Sequence, residues 1–444
     1  MFSVLFDARA QTGTSLAFHI VIASLGVGIP LFLLITEGLW LRTGEEDWMI
    51  LTKRWTKYFG VLFPIGAVSG TILSFELGLL WPTFMQFSGD IIGLPFALEG
   101  FAFFIEAIFL GLYIYGWKRL TPLQHWLTSI PLALSGAASS WFVVSANAWM
   151  NSPSGFEYKN GVLTGINPVE AIFNPSTPTE TIHMLLAAYE VTAFGMAMMF
   201  AISLLRGRRE SWVKKGLMVA MLMGTIVAPL QIISGDASAR AVAQLQPAKL
   251  AAMEALYHTT AGAPLTIGGI PNNATQTTSY AIEIPKGLSF LVSWNFNTTV
   301  PGLDSFPEPM RPNPALVHPF FDMMVGIGFL MLLITVVFWW LWYRGKKEVP
   351  TNKWLLQSII ASGPLTVLAL EFGWMVTEEG RQPWVIQGIL LTKNAVTTAP
   401  GVDVAFAVFS FLYIVLGVVT VYLLRRFDDT KEALATNAAA STAK

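Results

Sequence analysis

At 444 residues, 54% hydrophobic, 13% aromatic and only 12% charged, the chain has the composition of a protein solvated mainly by lipid. Its formal net charge of -1 excludes the basic field that nucleic-acid binding requires. The lack of cysteine excludes disulfides, iron–sulfur ligation and thiolate metal sites.

In chain order, apolar segments fall at 14–40, 58–80, 92–116, 126–149, 182–205, 216–234, 318–343, 355–377 and 402–424. Each approaches the roughly 20 residues of a spanning helix, and none has the alternation of a barrel strand. The expected fold class is therefore an all-α integral membrane protein with nine transmembrane helices. The first segment has no basic stretch before it and too long an apolar run for a cleavable signal, so it is expected to persist as a helix. Lys and Arg recur at every even-numbered boundary. Of 27 basic residues only Arg9, Lys159, Arg240, Lys249, Lys286, Arg311, Arg381 and Lys393 lie on the other side, which predicts an amino terminus outside and a carboxyl terminus in the cytoplasm.

The expected domains are 1–234 with transmembrane helices one to six, an extracytoplasmic loop at 235–317, helices seven to nine at 318–427, and a cytoplasmic tail at 428–444. The tail is rich in Ala, Thr and Ser and is expected to fray. No repeat of the kind that marks inverted-repeat transporters is evident. The loop far exceeds the usual connection of about 4–6 residues, so it reads as a lid over a site at the outer surface, the alternative being a soluble flap without chemistry. Within it, a short amphipathic helix is predicted to start near Pro247 and to stand away from the deeper polar layer.

That layer is defined by depth. His19 lies ~8 Å into the first span at 1.5 Å per residue, His183 falls in the first turn of the fifth, Met323 and Met324 lie similarly deep in the seventh, and Glu378 closes the eighth. Singly, each is explained by packing or a helix–helix hydrogen bond. Together at one depth they are imidazole, thioether and carboxylate groups of the kind haem iron accepts. A His/Met pair suits a low-spin centre, and a single axial ligand leaves iron open to dioxygen. Arg381 follows Glu378 by three residues and offers a cation to a buried anion such as a propionate, although Gly380 and Pro383 also read as a plain helix end with Glu378 wetted.

Glu99 and Glu106 lie seven residues and ~10 Å apart on one face of the third span, the pattern of a proton ladder, and Glu371 and Glu378 repeat that spacing. Ser139, Ser140 and Asn147 of the fourth span could join a hydrogen-bonded chain. His125, His258 and His318 are expected at wet surfaces. Five histidines without cysteine are too few and scattered for a haem–copper centre. The competing reading is a haem-free proton channel or transporter subunit.

These residues resemble subunit I of the cytochrome bd quinol oxidases, of the short quinol-loop type. The likeness runs from Arg9 and His19 through Phe96-Ala-Leu-Glu-Gly-Phe-Ala-Phe-Phe-Ile-Glu106, His183, Gln246-Pro-Ala-Lys-Leu-Ala-Ala-Met-Glu254 and Met324-Val-Gly326 to Gly380-Arg-Gln-Pro-Trp384. The resemblance implies a terminal oxidase that oxidises membrane quinol at the outer face and reduces dioxygen to water, building membrane potential without proton pumping. It implies two haem b, one low-spin and one high-spin, and one haem d. His183 and Met324 would bind the low-spin haem, and His19 and Glu378 the two high-spin haems. Arg9 and Arg381 would hold propionates, with Trp374 near the electron path. Lys249 and Glu254 would line quinol oxidation, and Glu99 and Glu106 would carry protons towards the oxygen site, where Glu378 also acts. A homologue of subunit II, a small single-helix subunit and a place in a bacterial or archaeal cytoplasmic membrane are also implied. Asp322 departs from the pattern, since several relatives would carry a basic side chain there.

Overall fold

The computed structural model describes residues 3–442, with side chains as far as Arg426. Helix α1 (Val4–Thr43) is opened by Ser3, whose hydroxyl accepts from the Phe6 N–H at 3.2 Å, and closed by Gly44 at φ 70°, whose N–H bonds the Trp40 carbonyl. Next come α2 (Glu46–Leu80), α3 (Pro82–Tyr115) and α4 (Pro122–Asn151). A hairpin of β1 (Glu157–Lys159) and β2 (Val162–Thr164) and a short α5 (Pro168–Ile172) lead to α6 (Thr177–Leu205) and α7 (Ser211–Leu245).

Helix α7 continues past the expected boundary at 234. The Ala-rich stretch that follows favours helix, and Arg240 clasps Asp236 one turn back with contacts of 2.9 and 3.0 Å. Pro247 then starts α8 (Pro247–Met253), the short helix predicted from sequence.

The segment from there to α10 is folded as three nested antiparallel pairs: β3 (Thr260–Ala261) with β8 (Thr299–Val300), β4 (Leu265–Ile267) with β7 (Ile282–Ile284), and β5 (Ile270–Asn272) with β6 (Thr277–Ser279). Helix α9 (Gly287–Ser293) is inserted between β7 and β8. Leu250, Met253, Leu256, Leu288, Val300 and Leu303 give this loop an apolar core, which also takes in Val317 and Val376 from the long helices. Asn313 caps α10 (Pro314–Arg344), and α11 (Lys353–Glu379), β9 (Trp384–Ile386), β10 (Leu390–Leu391), α12 (Thr392–Ala395) and α13 (Val402–Thr442) complete the chain. The backbone of α13 thus extends through most of the expected fraying tail; Ala443 and Lys444 lie outside the described residues.

Among the described residues, nine helices are long and apolar enough to cross a membrane, as the hydropathy pattern predicted. Two compact units are present. One comprises residues 1–85, 104–136 and 396–444; the other comprises 86–103 and 137–395. In the first, α1 packs on α2 and α13, and the rings of Phe18 and Tyr413 stand 5.0 Å apart. In the second, α6 packs on α7 and α11, and α10 on α11 and α7.

Candidate functional site

In the first unit, His19 of α1 is half-buried, with Nδ1 2.9 Å from the Ser69 hydroxyl of α2. Arg9 lies half-buried two turns and more before it on the same helix. Glu106 is buried, and Gly136 of α4 makes room for it: a Cβ there would stand 3.3 Å from a Glu106 carboxyl oxygen. His125, expected at a wet surface, is instead 2% exposed. Its Nδ1 lies 2.7 Å from Glu37, its Nε2 2.8 Å from the Tyr113 carbonyl, and the Tyr113 hydroxyl donates to the same carboxylate at 2.6 Å. A charged group on the first span, 88 residues away in sequence, is what draws it inside.

In the second unit, His183 of α6 places Nδ1 2.9 Å from the Ser234 hydroxyl of α7. Met324 lies on α10 with its sulfur turned to α11, where a Cβ on Gly373 would come within 3.1 Å of it, whereas Met323 is 42% exposed. Glu99 of α3 accepts from Ser139 of α4 at 3.3 Å.

Glu378 sits in a polar chain at the end of α11. It accepts from Asn147 Nδ2 of the fourth span at 2.7 Å and from Arg381 at 2.5 Å. The guanidinium of Arg381 is buried and also donates to Asn151 Oδ1 at 2.9 Å, while the Asn151 amide donates to Glu180 at 2.9 and 3.1 Å. Gln246 reaches Asn151 at 3.4 Å, and Lys249 reaches Gln246 at the same distance. Glu378 is thus paired rather than simply wetted.

Lys249 was expected to stand away from this layer. It packs instead directly on Gly380, where a Cβ would fall 2.8 Å from its Cγ, because α8 folds back against the end of α11. Burial pushes the Lys249 ammonium down to about 8, opposed by the attraction of Glu180. Burial likewise pushes the Glu254 carboxyl up to about 8, with Asp322 adding repulsion and a Thr266 backbone hydrogen bond opposing.

His318, also expected to be wet, is fully buried and ties the loop to α10, with ring nitrogens 2.7 Å from the Met253 carbonyl and 2.9 Å from the Gly268 carbonyl. Asp322, one turn further, accepts the Gly268 N–H at 2.5 Å. This anchoring gives the acidic residue a purpose at the position where a base was anticipated. Only His258 is as exposed as expected, 3.6 Å from Asp304.

Near Glu378, the buried donors Arg381 Nε and Trp374 Nε1 have no acceptor among the described residues. Both lie within one or two turns of Glu378, and a buried N–H left unpaired is costly. Donors of this kind suit an anionic oxygen such as a haem propionate, so the residues present fit that group. Asn151 and Glu180 were not singled out from sequence, since polar residues at a span's end carry no local sign of burial.

A family model described as cytochrome bd terminal oxidase subunit I matches residues 8–431. The chain is 38% identical over 421 residues to the putative cytochrome bd menaquinol oxidase subunit I of Bacillus subtilis, covering 94% of this chain and 95% of that one. It is 29% identical to the cytochrome bd-II ubiquinol oxidase subunit 1 of Escherichia coli, with 96% of both chains covered. Among solved structures, the bd oxidase of Geobacillus thermodenitrificans matches with a TM-score of 0.91 at 38% identity, covering 97% of this chain and 99% of that one.

Proposed function

The chain belongs to the cytochrome bd terminal oxidase subunit I family and so to the quinol:oxygen oxidoreductases, and on that premise we propose that it oxidises membrane quinol beneath the folded loop at 246–313. Family membership carries with it haem, a multi-pass place in the bacterial cytoplasmic membrane and pairing with subunit II. Further, the proposed complement is two haem b and one haem d, with dioxygen reduced to water and a small single-helix subunit attached. His183 and Met324 would hold the low-spin haem, His19 and Glu378 the two high-spin haems, and Arg381 with Arg9 the propionates. When bound, these groups supply one-electron carriers and the iron at which dioxygen is reduced.

The observation that carries the reading is the seating of Lys249 on Gly380, linked through Gln246 and Asn151 to Arg381 and Glu378. A substrate held at α8 is thereby within one hydrogen-bonded network of the residues assigned to cofactor binding. At that site the carboxylate of Glu254 or the neutral amine of Lys249 takes a quinol O–H proton. Both groups gain their basic form as pH rises through about 8. Quinol-limited turnover is therefore expected to rise about fivefold from pH 7 to 8, following the deprotonated fraction. Glu254→Ala and Lys249→Ala should each cut quinol-driven oxygen consumption while most haem is retained. Loss of all haem in both variants would instead make the loop purely structural.

With the amino terminus outside, as the Lys and Arg distribution supports, quinol protons leave on the outer side and those for water are drawn from the cytoplasm. Membrane potential then follows without pumping, each charge contributing about 2.3 kcal/mol per 100 mV. Glu106 and Glu99 hold the inward-moving protons. Glu106→Gln keeps shape and hydrogen bonding but exchanges no carboxyl proton, so it should slow the electrogenic phase of reduced-enzyme oxidation by roughly the 10²–10⁴-fold of a lost acid–base group. An unchanged rate and amplitude would remove Glu106 from the route.

A further inference from the structure

The environments of His19 and His183 are built to one plan. Each histidine lies on the first helix of a packed antiparallel pair, α1 with α2 and α6 with α7. The second helix of each pair carries Pro and Ser-Gly at the same spacing, Pro64-Ile-Gly-Ala-Val-Ser-Gly70 in one and Pro229-Leu-Gln-Ile-Ile-Ser-Gly235 in the other. Pro, four residues and Ser-Gly recur at that spacing nowhere else in the chain. In both, the serine hydroxyl stands 2.9 Å from Nδ1 of the histidine.

The direction of these bonds depends on where the serine proton goes. A hydroxyl has one proton to give. Ser69 donates its proton to the Ile65 carbonyl at 3.0 Å, and Ser234 donates to the Gln231 carbonyl at 2.9 Å. With the hydroxyl proton on the helix carbonyl, each oxygen accepts from the ring, the arrangement in which Nδ1 carries the hydrogen and Nε2 the lone pair. The Gln231 amide nitrogen, 3.2 Å from His183 Nε2, is a donor placed against that lone pair. The glycine after each serine keeps the helix surface low beneath the ring: a Cβ on Gly70 would lie 3.0 Å from His19 Cε1, and one on Gly235 3.4 Å from His183 Cε1.

We propose that Ser69-Gly70 and Ser234-Gly235 are matching cradles that fix the Nδ1–H tautomer and ring orientation of His19 and His183, presenting Nε2 for ligation and raising its basicity. This rests on the assignment of both histidines as haem ligands. A hydrogen bond to the distal ring nitrogen makes an axial imidazole a stronger donor, and stronger donation favours the ferric state. Removing the hydroxyl therefore shifts its own haem towards the ferrous form and leaves the other unaffected.

The test is redox titration and spectroscopy of the complete oxidase, purified with its partner subunit. Ser234→Ala should raise the ferrous-to-ferric ratio of the low-spin haem roughly threefold at fixed ambient potential, a shift of about 28 mV at 59 mV per tenfold. Ser69→Ala should do the same to the haem held by His19. Ser→Thr at either position, which keeps the accepting oxygen, should restore the native potential. Unchanged potentials in both Ala variants, or Thr variants that behave as Ala, overturn the proposal. If an Ala variant loses its haem, the Thr variant decides: haem retained at native potential supports the cradle, and haem lost assigns the serine to packing. His19→Ala and His183→Ala are the controls. Haem bands that survive them overturn the ligand assignment itself, whereas bands lost there with silent serine variants sink only the cradle.

Discussion

Replacing His183 with Ala, or Met324 with Leu, is expected to abolish the low-spin haem spectrum while the chain still inserts in the membrane. The two side chains come from α6 and α10, each of which packs against α11 or α7 in the same compact unit. Imidazole with thioether is the ligand pair of a six-coordinate electron-transfer iron, and Leu keeps the volume of Met without its sulfur. Quinol-driven oxygen consumption should fall by at least about 100-fold, beyond the range seen on removing groups that merely support a ligand. Reduced-minus-oxidised spectra of solubilised membranes make the measurement, and an unchanged low-spin band in both variants would remove the pair from ligation.

Arg381→Ala should have the largest effect on stability. The guanidinium is 2% exposed and holds Glu378 at 2.5 Å and Asn151 at 2.9 Å through its two terminal nitrogens. Its loss leaves Glu378, which the Asn147 amide only partly satisfies, without a counter-charge, and breaking such a pair costs about 3 kcal/mol. Arg381→Lys is expected to rescue little, because one ammonium does not reproduce a planar fork that reaches two partners and keeps Nε free for an anion. Thermal unfolding of the purified oxidase, read beside its high-spin haem content, checks both points. A Lys variant with native stability and native haem would show that charge alone suffices.

The burial of His318 bears on the same region. Its two ring nitrogens stand against carbonyls from α8 and from the turn between β4 and β5, so the loop is held to α10 by a side chain rather than by apolar contact alone. Sequence placed this histidine at the mouth of a span and hence in water. Nothing within a few residues of it marks the two carbonyls, since Met253 and Gly268 are 65 and 50 residues away. The same holds for His125, whose Glu37 partner lies one helical hairpin and more upstream.

What the sequence determined by itself is the property each residue carries alone or with close neighbours. Transfer free energy summed over about 20 residues marks the nine spans, since a lipid-embedded helix satisfies its own backbone. The helix start at Pro247 follows from local chemistry as well. The motif from Gly380 to Trp384 and the Glu99–Glu106 spacing pointed to the family that the whole-chain comparison bears out. Tertiary structure alone decided which polar groups lose water and to whom they turn. It brought Lys249 onto Gly380, Asn151 between Arg381 and Glu180, and two serines onto two histidines about 50 residues apart in sequence. The physical reason is that a polar group's burial is set by partners it meets only after the helices pack, and hydropathy along the chain contains no term for them.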